Sequence, residues 1–315
     1  MIHIASCTDR NYVMPTATMM VSACENNADS DITFHIVSDG SVSDKEKEKL
    51  CTVVRRYKGK EIAFYDIGEN AFESFPGIGR YFNHITQAAY YRLMLPSILP
   101  LGLHKVLYLD GDIIIHDTLA SLWKIELDNY PLATVRDMYE NDVERYTRLD
   151  YPPSLGYFNS GVLLLNLDCW RKDSLSKICM DFMHHHADRI KFHDQDVLNC
   201  VFRETKMMLP LKYNVQNAFF YRKKEDIGID VQRYEDELTE ATEHPVIVHF
   251  TLSQKPWIIG CPHPYAKEFN RYRNMTPWRH HSIIDTIRYS GWRHTIGYYA
   301  RKWGFISPID NPYMC

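Results

Sequence analysis

Two aspartates at the end of a short apolar segment are the residues of this chain best placed to do chemistry. Asp110 and Asp112 follow residues 106–109, Val-Leu-Tyr-Leu, which have the length and composition of a buried strand. Residues two apart in an extended chain point the same way, about 7 Å apart, and Gly111 places no side chain between them. Such carboxylates repel each other unless a cation or hydrogen-bond donors compensate. We therefore expect a site for a divalent cation, with a solvated turn as the alternative.

A histidine and a lysine close to a second apolar segment offer complementary chemistry. His249 lies in residues 245–250, Pro-Val-Ile-Val-His-Phe, and Lys255 follows six positions later, before Pro256 and Trp257. An imidazole can bind a metal, and an ammonium can pair with a phosphate. The pattern predicts a metal ligand and a phosphate-binding cation. The alternative is that the histidine is an ordinary hydrogen bonder at a strand end.

The first predicted strand leads into a polar loop with the composition of a nucleoside site. Asp9 and Asn11 can bind a base edge or ribose hydroxyls, and Tyr12 can stack on a ring. The alternative is that Tyr12 only covers the edge of the sheet. A dinucleotide-binding turn needs a glycine-rich sequence here, and this loop has no glycine, so the sequence argues against NAD binding.

Four further polar residues have both a structural and a functional interpretation. Arg92 is the one cation of a helical segment, residues 85–96, where it is either a surface charge or within reach of a phosphate. Asn159 precedes an apolar strand that has no need of a polar side chain. Asp194 stands before a predicted helix and can cap it. Gln195 has no evident structural role at a helix start, so a ligand-binding role is the stronger hypothesis there.

Strands and helices alternate along the chain, which predicts an α/β fold with a Rossmann-like, mostly parallel sheet flanked by helices. The predicted strands cover residues 2–8, 32–38, 61–67, 106–109, 132–137, 162–167 and 245–250. The predicted helices cover residues 15–27, 45–57, 85–96, 170–188 and 197–202. Residues 138–156 and 222–243 are predicted as polar loops, the first of them a lid or binding loop. Ligands of such sheets bind at the carboxyl ends of the strands, where Asp110 and Asp112 would lie.

Length and composition are those of a globular protein. The 315 residues are 45% hydrophobic and 24% charged, enough for one large core or two modest ones. No run of about 18 uncharged apolar residues and no secretory signal pattern occurs, so we expect a cytosolic protein. The eight cysteines form no C-x-x-C pair, which predicts reduced thiols. The net charge of −4 argues against general nucleic-acid binding.

In combination, these segments resemble the retaining nucleotide-sugar glycosyltransferases of family 8, and are most similar to the bacterial lipopolysaccharide galactosyl- and glucosyltransferases. The matching motifs, in the family's order over residues 1 to about 260, are Asp9-Arg10-Asn11-Tyr12, Ala89-Tyr90-Tyr91-Arg92-Leu93, Lys105-Val106-Leu107-Tyr108-Leu109-Asp110-Gly111-Asp112, Phe158-Asn159-Ser160-Gly161-Val162, Asp194-Gln195-Asp196 and His249 through Trp257. The resemblance implies a GT-A fold in which a nucleotide-binding and an acceptor-binding part share one sheet. It divides the chain into a catalytic domain, residues 1–275, with parts of about 1–115 and 116–275, and a tail, residues 276–315.

The resemblance also implies ligands for the candidate residues. Asp110, Asp112 and His249 would bind Mn²⁺, with Mg²⁺ as the alternative, and the ion would bridge the two phosphates of UDP-galactose or UDP-glucose. The uridine would contact Asp9, Asn11 and Tyr12, the diphosphate Lys255, and the transferred sugar Arg92, Asn159, Asp194 and Gln195. One departure is Leu252, which replaces a family glycine that lets the backbone approach the diphosphate, so the pose of this loop is an open question.

These implied roles describe a hexosyltransferase that retains the anomeric configuration and uses a glycan acceptor, such as lipopolysaccharide or another cell-surface glycan. We favour front-side attack, in which the departing phosphate takes the acceptor's proton while Gln195, a poor nucleophile, stabilises the cation-like sugar. A covalent intermediate on Asp194 is the alternative mechanism. The rival functions are a nucleotide-sugar hydrolase with the same metal site and a non-catalytic sugar-nucleotide-binding protein, which would need a broken metal triad.

The C-terminal tail is basic and aromatic. Its large side chains at helical spacing, which predict one amphipathic stripe, are Tyr289, Trp292, Ile296, Tyr299 and Trp303. Five Lys/Arg and one acid lie between positions 278 and 303. Such helices lie on anionic bilayers, where a lipid-linked acceptor would be found, so we expect peripheral association with the inner face of the cell membrane. The alternative is that the stripe packs against the catalytic domain.

Overall fold

A seven-stranded and a three-stranded sheet form the framework of the protein. The computed structural model describes residues 1–67, 88–226, 228–279, 287, 290–307 and 312–313. Its strands are β1 (Ile2–Thr8), β2 (Ile32–Asp39), β3 (Lys60–Ile67), β4 (Lys105–Leu109), β5 (Ile113–Ile115), β6 (Leu132–Arg136), β7 (Phe158–Asn166), β8 (Lys206–Met208), β9 (Val215–Gln216) and β10 (Ile247–His249). The large sheet has the order β3-β2-β1-β4-β7-β6-β8, and the small sheet has the order β5-β10-β9.

Most neighbouring strands of the large sheet are parallel, as the sequence predicts. The parallel pairs are β1 with β2, β1 with β4, β2 with β3 and β6 with β8, whereas β7 is antiparallel to β4 and β6. The strand order runs in opposite directions on the two sides of the β1/β4 border, and a crevice forms at the carboxyl ends of strands at such a point. Asp9 follows β1 and Asp110 follows β4, so both residues lie at this crevice.

Strand β4 is buried on both faces. Val106 and Tyr108 belong to the hydrophobic core on one side of the sheet, and Leu107 and Leu109 belong to the core on the other. The alternation follows from the two-residue period of an extended chain. Burial of each such side chain stabilises the fold by about 1.5–3 kcal/mol, so β4 holds the aspartates that follow it on a rigid base.

Helices cover the sheet. They are α1 (Val13–Asn26), α2 (Asp44–Val54), α3 (Ala88–Tyr91), α4 (Leu95–Ile98), α5 (Ala120–Trp123), α6 (Val143–Leu149), α7 (Leu167–Lys172), α8 (Leu175–His185), α9 (His193–Val201), α10 (Glu235–Glu243), α11 (Ala266–Asn274) and α12 (Trp292–Lys302). In the described part of the chain, no helix has both the length and the apolar character needed to cross a bilayer. The seven described cysteines are all free thiols.

Two predicted helices are interrupted. The predicted helix at residues 170–188 is two helices, α7 and α8, because Ser174 between them has a left-handed backbone with φ of 52°. The predicted helix at residues 85–96 is divided into α3, a 3₁₀ turn and α4, since Pro96 starts a new helical segment. Residues 85–87 lie outside the described residues.

Both predicted polar loops contain a helix. Asp142 caps α6 by accepting a hydrogen bond from the Glu144 N–H, and Asp150 ends it in the left-handed region. Helix α10 begins with three acidic residues, Glu235 to Glu237, which stabilise the positive end of the helix dipole. The prediction of continuous loops was wrong because both helices are short and carry little apolar periodicity.

Candidate active site

Asp110, Asp112 and His249 converge at the crevice. His249 Nε2 lies 3.3 Å from Asp112 Oδ1 and 3.8 Å from Asp110 Oδ2. One ligand atom from each residue lies within 4.8 Å of the other two. The register of the small sheet produces this cluster, because His249 of β10 pairs with Ile113 of β5, the residue after Asp112. The structure thus brings the three predicted metal ligands together.

Asn214 and Gly161 determine how His249 faces the carboxylates. His249 Nδ1 lies 3.0 Å from Asn214 Oδ1, so Nδ1–H donates to the amide oxygen and Nε2 keeps its lone pair for the side of the aspartates. A Cβ at position 161 would clash with the His249 ring and lie 2.7 Å from Asp110 Oδ2. Only glycine therefore allows β7 to pass this close to the cluster.

Lys255 contacts the same cluster. Its Nζ lies 2.6 Å from Asp112 Oδ2 and donates to the Phe250 carbonyl at 2.5 Å. Burial would raise the pKa of Asp112, but Lys255 and His249 hold that pKa well below its usual range, so the carboxylate is ionised. Leu252, the residue at the family's glycine position, packs partly buried against the hydrophobic core.

Arg92 links two acidic residues from different elements. Its Nη2 lies 3.0 Å from Asp110 Oδ1, and its Nε lies 3.1 Å from Asp194 Oδ2. The guanidinium also stacks on the Tyr108 ring, 4.5 Å from the ring centre. Arg92 is 7% exposed, so the alternative of a surface charge was wrong. Arg92 is a buried bridge across the crevice floor, and its predicted contact with a phosphate or with the transferred sugar stays a prediction.

Asp194 lies in the first turn of α9 and does not cap it. The N-cap residue is Phe192, and no side chain caps the helix. Burial raises the pKa of Asp194 to about 6, Arg92 opposes this rise, and Asp110 adds to it. The contact of Asp194 Oδ2 with Arg92 lacks hydrogen-bond geometry, so the attraction is an ion pair without a hydrogen bond.

Gln195 is held by hydrogen bonds on both ends of its amide. Its Oε1 accepts from Asn159 Nδ2 at 3.1 Å and from the Ser160 N–H at 3.0 Å. Its Nε2 donates to Asp137 Oδ2 at 3.1 Å. Arg145 Nη1 donates to the other oxygen of Asp137 at 2.8 Å. These bonds fix the amide in one orientation.

Asn159 connects the Gln195 amide to the metal-ligand cluster. Strand β7 begins one residue earlier, so Asn159 lies inside the strand and does not precede it as predicted. Its Oδ1 accepts from Asn214 Nδ2 at 2.9 Å, and Asn214 in turn contacts His249. A continuous polar network therefore joins the histidine to the glutamine.

The polar loop after β1 lies at the same crevice. Asp9 Oδ1 accepts from the backbone N–H groups of Asn11 at 2.8 Å and Tyr12 at 3.0 Å, which shapes the loop. Asn11 is exposed. Tyr12 and Trp257 make an edge-to-face contact, with ring centres 5.7 Å apart. The candidate nucleoside loop and the lysine-bearing loop are therefore in contact.

Sequence reasoning missed two residues of this network. Asp137 ends the predicted strand at residues 132–137, so it carries the same signal as Asp110, a carboxylate at the end of an apolar strand. Asn214 lies in the irregular segment between β8 and β9, where no local pattern marks it. Its role depends on the register of the small sheet, which local sequence does not show.

Comparison with known proteins identifies the family. Residues 3–259 match the family described as Glycosyl transferase family 8. The chain belongs to glycosyl transferase family 8. A lipopolysaccharide 1,2-glucosyltransferase of Escherichia coli is 30% identical over 276 residues, 86% of this chain and 77% of that protein. General stress protein A of Bacillus subtilis is 28% identical over 281 residues, 88% of this chain and 94% of that protein.

A solved structure shows the same architecture as this family 8 glycosyltransferase. The galactosyltransferase LgtC, solved with donor and acceptor sugar analogs, matches with a TM-score of 0.75 and 26% identity, over 88% of this chain and 96% of LgtC. The mostly parallel sheet with flanking helices is therefore a fold of the GT-A type. The Asp-Asp-His cluster fits a divalent cation, because two carboxylates and an imidazole with a free lone pair face one point.

Proposed function

We propose that this family 8 glycosyltransferase moves glucose or galactose from a UDP-sugar to a hydroxyl of a glycan acceptor, with retention of configuration. One observation carries the proposal: the metal-ligand cluster and the Gln195 network lie in a single crevice, joined by the Arg92 contacts to Asp110 and Asp194. One relative is a lipopolysaccharide glucosyltransferase, and one structural neighbour is a galactosyltransferase. They support these hexoses, and lipopolysaccharide or another cell-surface glycan as the acceptor.

The cation is proposed to be Mn²⁺ held by Asp110, Asp112 and His249. An imidazole ligand suits an ion softer than Mg²⁺, which is the alternative cofactor. Such an ion supplies positive charge that stabilises the diphosphate as it leaves. Lys255, 2.6 Å from Asp112, lies close enough to share the charge of a diphosphate bound there.

The uridine is proposed to lie on the loop after β1. Asp9 uses one carboxylate oxygen for backbone N–H groups, which leaves the other oxygen for ribose or base. Asn11 is exposed, and Tyr12 offers one ring beside Trp257. A short loop with one ring suits a pyrimidine better than a purine.

The transferred sugar is proposed to lie among Arg92, Asn159, Asp194 and Gln195. In our mechanism the acceptor oxygen attacks C1 from the face that the phosphate leaves, and the departing phosphate oxygen takes the acceptor's proton. Both lone pairs of Gln195 Oε1 accept hydrogen bonds, so this atom is no nucleophile, but its partial negative charge stabilises a developing cation. A covalent intermediate on Asp194 is the alternative, and the Arg92 ion pair makes that carboxylate a weaker nucleophile.

The tail is proposed to place the enzyme on the cytoplasmic face of an anionic membrane. Helix α12 packs through His294 Nε2, 2.9 Å from the Ile259 carbonyl, and through the buried Thr295. Its other face exposes Trp292, Ile296 and Trp303. An exposed apolar stripe with flanking cations supports docking to a bilayer that carries a lipid-linked acceptor.

The deciding experiment measures UDP release from a panel of UDP-sugars and GDP-mannose with Mn²⁺, with and without methyl β-galactoside, lactose and lipopolysaccharide core oligosaccharide. We expect release from UDP-glucose or UDP-galactose, stimulated by an acceptor, with an α-linked product by NMR. Release at a rate that no acceptor changes would indicate a hydrolase. Asp112→Ala and His249→Ala should abolish turnover while circular dichroism stays unchanged, and full activity of either variant in EDTA contradicts the metal assignment.

A further inference from the structure

A second cleft lies beside the active site. Its volume is about 800 Å³, inside the range of roughly 300–1,000 Å³ typical of small-molecule sites. Six of the side chains that line it are Arg136, Glu140, Pro152, Pro153, Arg233 and Tyr234. None of these six forms the contacts that build the candidate active site.

The floor of this cleft contains a buried ion pair that the backbone accommodates. Arg136 pairs with Glu140, which is 7% exposed, and the Arg136 guanidinium lies 4.8 Å from the centre of the Tyr234 ring. Gly156 has φ of +65°, and a Cβ there would lie 2.5 Å from Arg136 Nη1. The absence of a side chain at this position leaves the ion pair room, so the floor presents both hydrogen-bond donors and acceptors.

Tyr234 contributes a hydroxyl that lacks a partner. The residue is 9% exposed, and in the described part of the chain no hydrogen-bond partner reaches its Oη. A buried hydroxyl in this state destabilises the protein unless a ligand completes it. The exposed Arg233 stacks over the same ring, 5.2 Å from its centre. The ring is therefore in contact with two guanidinium groups, and its hydroxyl is one unused polar atom.

Residues 137–141 form the wall between the cleft and the active site. Asp137 contacts Gln195, and the next residue, Met138, accepts a hydrogen bond from Thr251 on the His249 side. Glu140 and Asn141 line the cleft on the opposite side. Only a few residues of chain therefore separate the cleft from the Gln195 network, so a glycan that extends past Asp137 is placed to reach the cleft.

We propose that this cleft binds the part of the acceptor glycan that lies beyond the sugar receiving the hexose. Pro152, Pro153 and the Tyr234 ring provide apolar surface for the C–H faces of sugar rings, and the Arg136–Glu140 pair provides donors and acceptors for hydroxyls. The cleft has two arginines and three acidic residues, Glu140, Asp150 and Asp230, which favours neutral sugars over phosphorylated ones. The inference rests on the proposed function, since that function defines the acceptor.

The test compares a short and a long neutral probe, lactose and lacto-N-tetraose, on protein saturated with UDP and Mn²⁺. Dissociation constants from NMR titration should be lower for the tetrasaccharide in the wild type. Tyr234→Phe and Arg233→Ala should each weaken tetrasaccharide binding by about three- to tenfold and leave lactose binding unchanged. A loss of this size corresponds to one hydrogen bond or one stacking contact. Tyr130→Phe and Arg55→Ala, exposed elsewhere, serve as matched controls.

A stability measurement separates this role from a structural one. Tyr234→Phe removes a hydroxyl that has no partner, so its melting temperature should equal or exceed that of the wild type even though tetrasaccharide affinity falls. The inference would be overturned if the variants lost affinity equally for both sugars or lost none. It would also be overturned if the wild type did not bind the tetrasaccharide, or bound phosphorylated core oligosaccharide more tightly. UDP release by the wild-type protein, with lactose as the acceptor, tests the proposed function separately from the binding of the tetrasaccharide.

Discussion

Single side chains in the crevice are held by partners from distant parts of the chain. His249 is oriented by Asn214, Asn214 bonds Asn159, and Asn159 bonds Gln195. Asp110 was predictable, because a carboxylate at the end of an apolar strand can be recognised in the sequence. Asn214 was not, because an asparagine in an irregular segment has no distinguishing pattern. In the proposed function, metal binding and sugar positioning therefore depend on the same buried amides.

Asn214→Ala is expected to lower Mn²⁺ affinity by about 10–100-fold, because outer-shell partners of metal ligands contribute on this order. The variant removes the acceptor for His249 Nδ1–H, so the imidazole loses its fixed tautomer and orientation. Titration calorimetry with Mn²⁺ measures the change. Asn27→Ala, which removes a buried amide outside the crevice, should lower the melting temperature and leave Mn²⁺ affinity intact. Equal Mn²⁺ affinity in Asn214→Ala and wild type would show that Asn214 does not orient the ligand.

Asp194 should make the stability of the metal-free protein depend on pH. Its pKa is about 6 in the folded state, above the ordinary 3.8, so the folded state favours the protonated carboxyl. The contribution of this group is therefore fully present below about pH 4 and is lost as pH rises through about 6. Urea unfolding in EDTA should show wild type losing stability relative to Asp194→Asn over this interval. A difference that is constant with pH would contradict the raised pKa.

Elements differ in how far local sequence determines them. The strands β1, β2 and β4 are rich in apolar residues and buried along most of their length, and their positions were predicted from local sequence. The small sheet was not predicted, because β5 has three residues and pairs with β10 from a distant part of the chain. The break between α7 and α8 was also missed, since Ser174 adopts a left-handed backbone without a glycine or proline signal. Long-range pairing and local strain thus limited the prediction.

Gly161→Ala tests whether strand β7 shapes the metal-ligand cluster. The new Cβ would clash with His249 and crowd Asp110, so we expect loss of Mn²⁺ binding together with destabilisation of about 1–3 kcal/mol, as for other overpacked sites. Gly102→Ala is the matched control, because a Cβ there meets nothing within 4 Å. Calorimetry with Mn²⁺ and urea unfolding report the two effects. Mn²⁺ binding of wild-type strength in Gly161→Ala would mean that the cluster adapts to a side chain.

In the whole molecule, the tail is joined to the catalytic domain at its far end. Tyr313 is 2% exposed and its hydroxyl accepts from Asn217 Nδ2 at 2.7 Å, while the Arg222 N–H donates to the Pro312 carbonyl at 2.9 Å. Tyr289 of the predicted stripe lies outside the described residues. Because deleting the tail would also remove a core side chain, substitutions test membrane docking better than truncation does.

The triple variant Trp292→Ser, Ile296→Ser, Trp303→Ser should bind anionic vesicles at least about tenfold more weakly, because it removes apolar surface that would enter the bilayer interface. These side chains are 59%, 61% and 67% exposed, so the fold should tolerate the change. Sedimentation with phosphatidylglycerol vesicles measures binding, and transfer to a soluble acceptor should be retained. Leu101→Ser, at an 81% exposed position elsewhere, is the control. If the triple variant bound vesicles as strongly as the wild type, the exposed stripe would not be a membrane-binding surface.

The middle position of β10 in the small sheet has a consequence for protein synthesis. Strand β10 lies between β5 and β9, and it is the last of the three to be translated. Until His249 has left the ribosome, β5 and β9 have no strand between them, and Asp110 and Asp112 have no imidazole beside them. A nascent or prematurely terminated chain can therefore form much of the large sheet without a complete metal site, since folding proceeds from the N-terminal part. Incomplete copies of this protein would consequently lack one of the three proposed metal ligands.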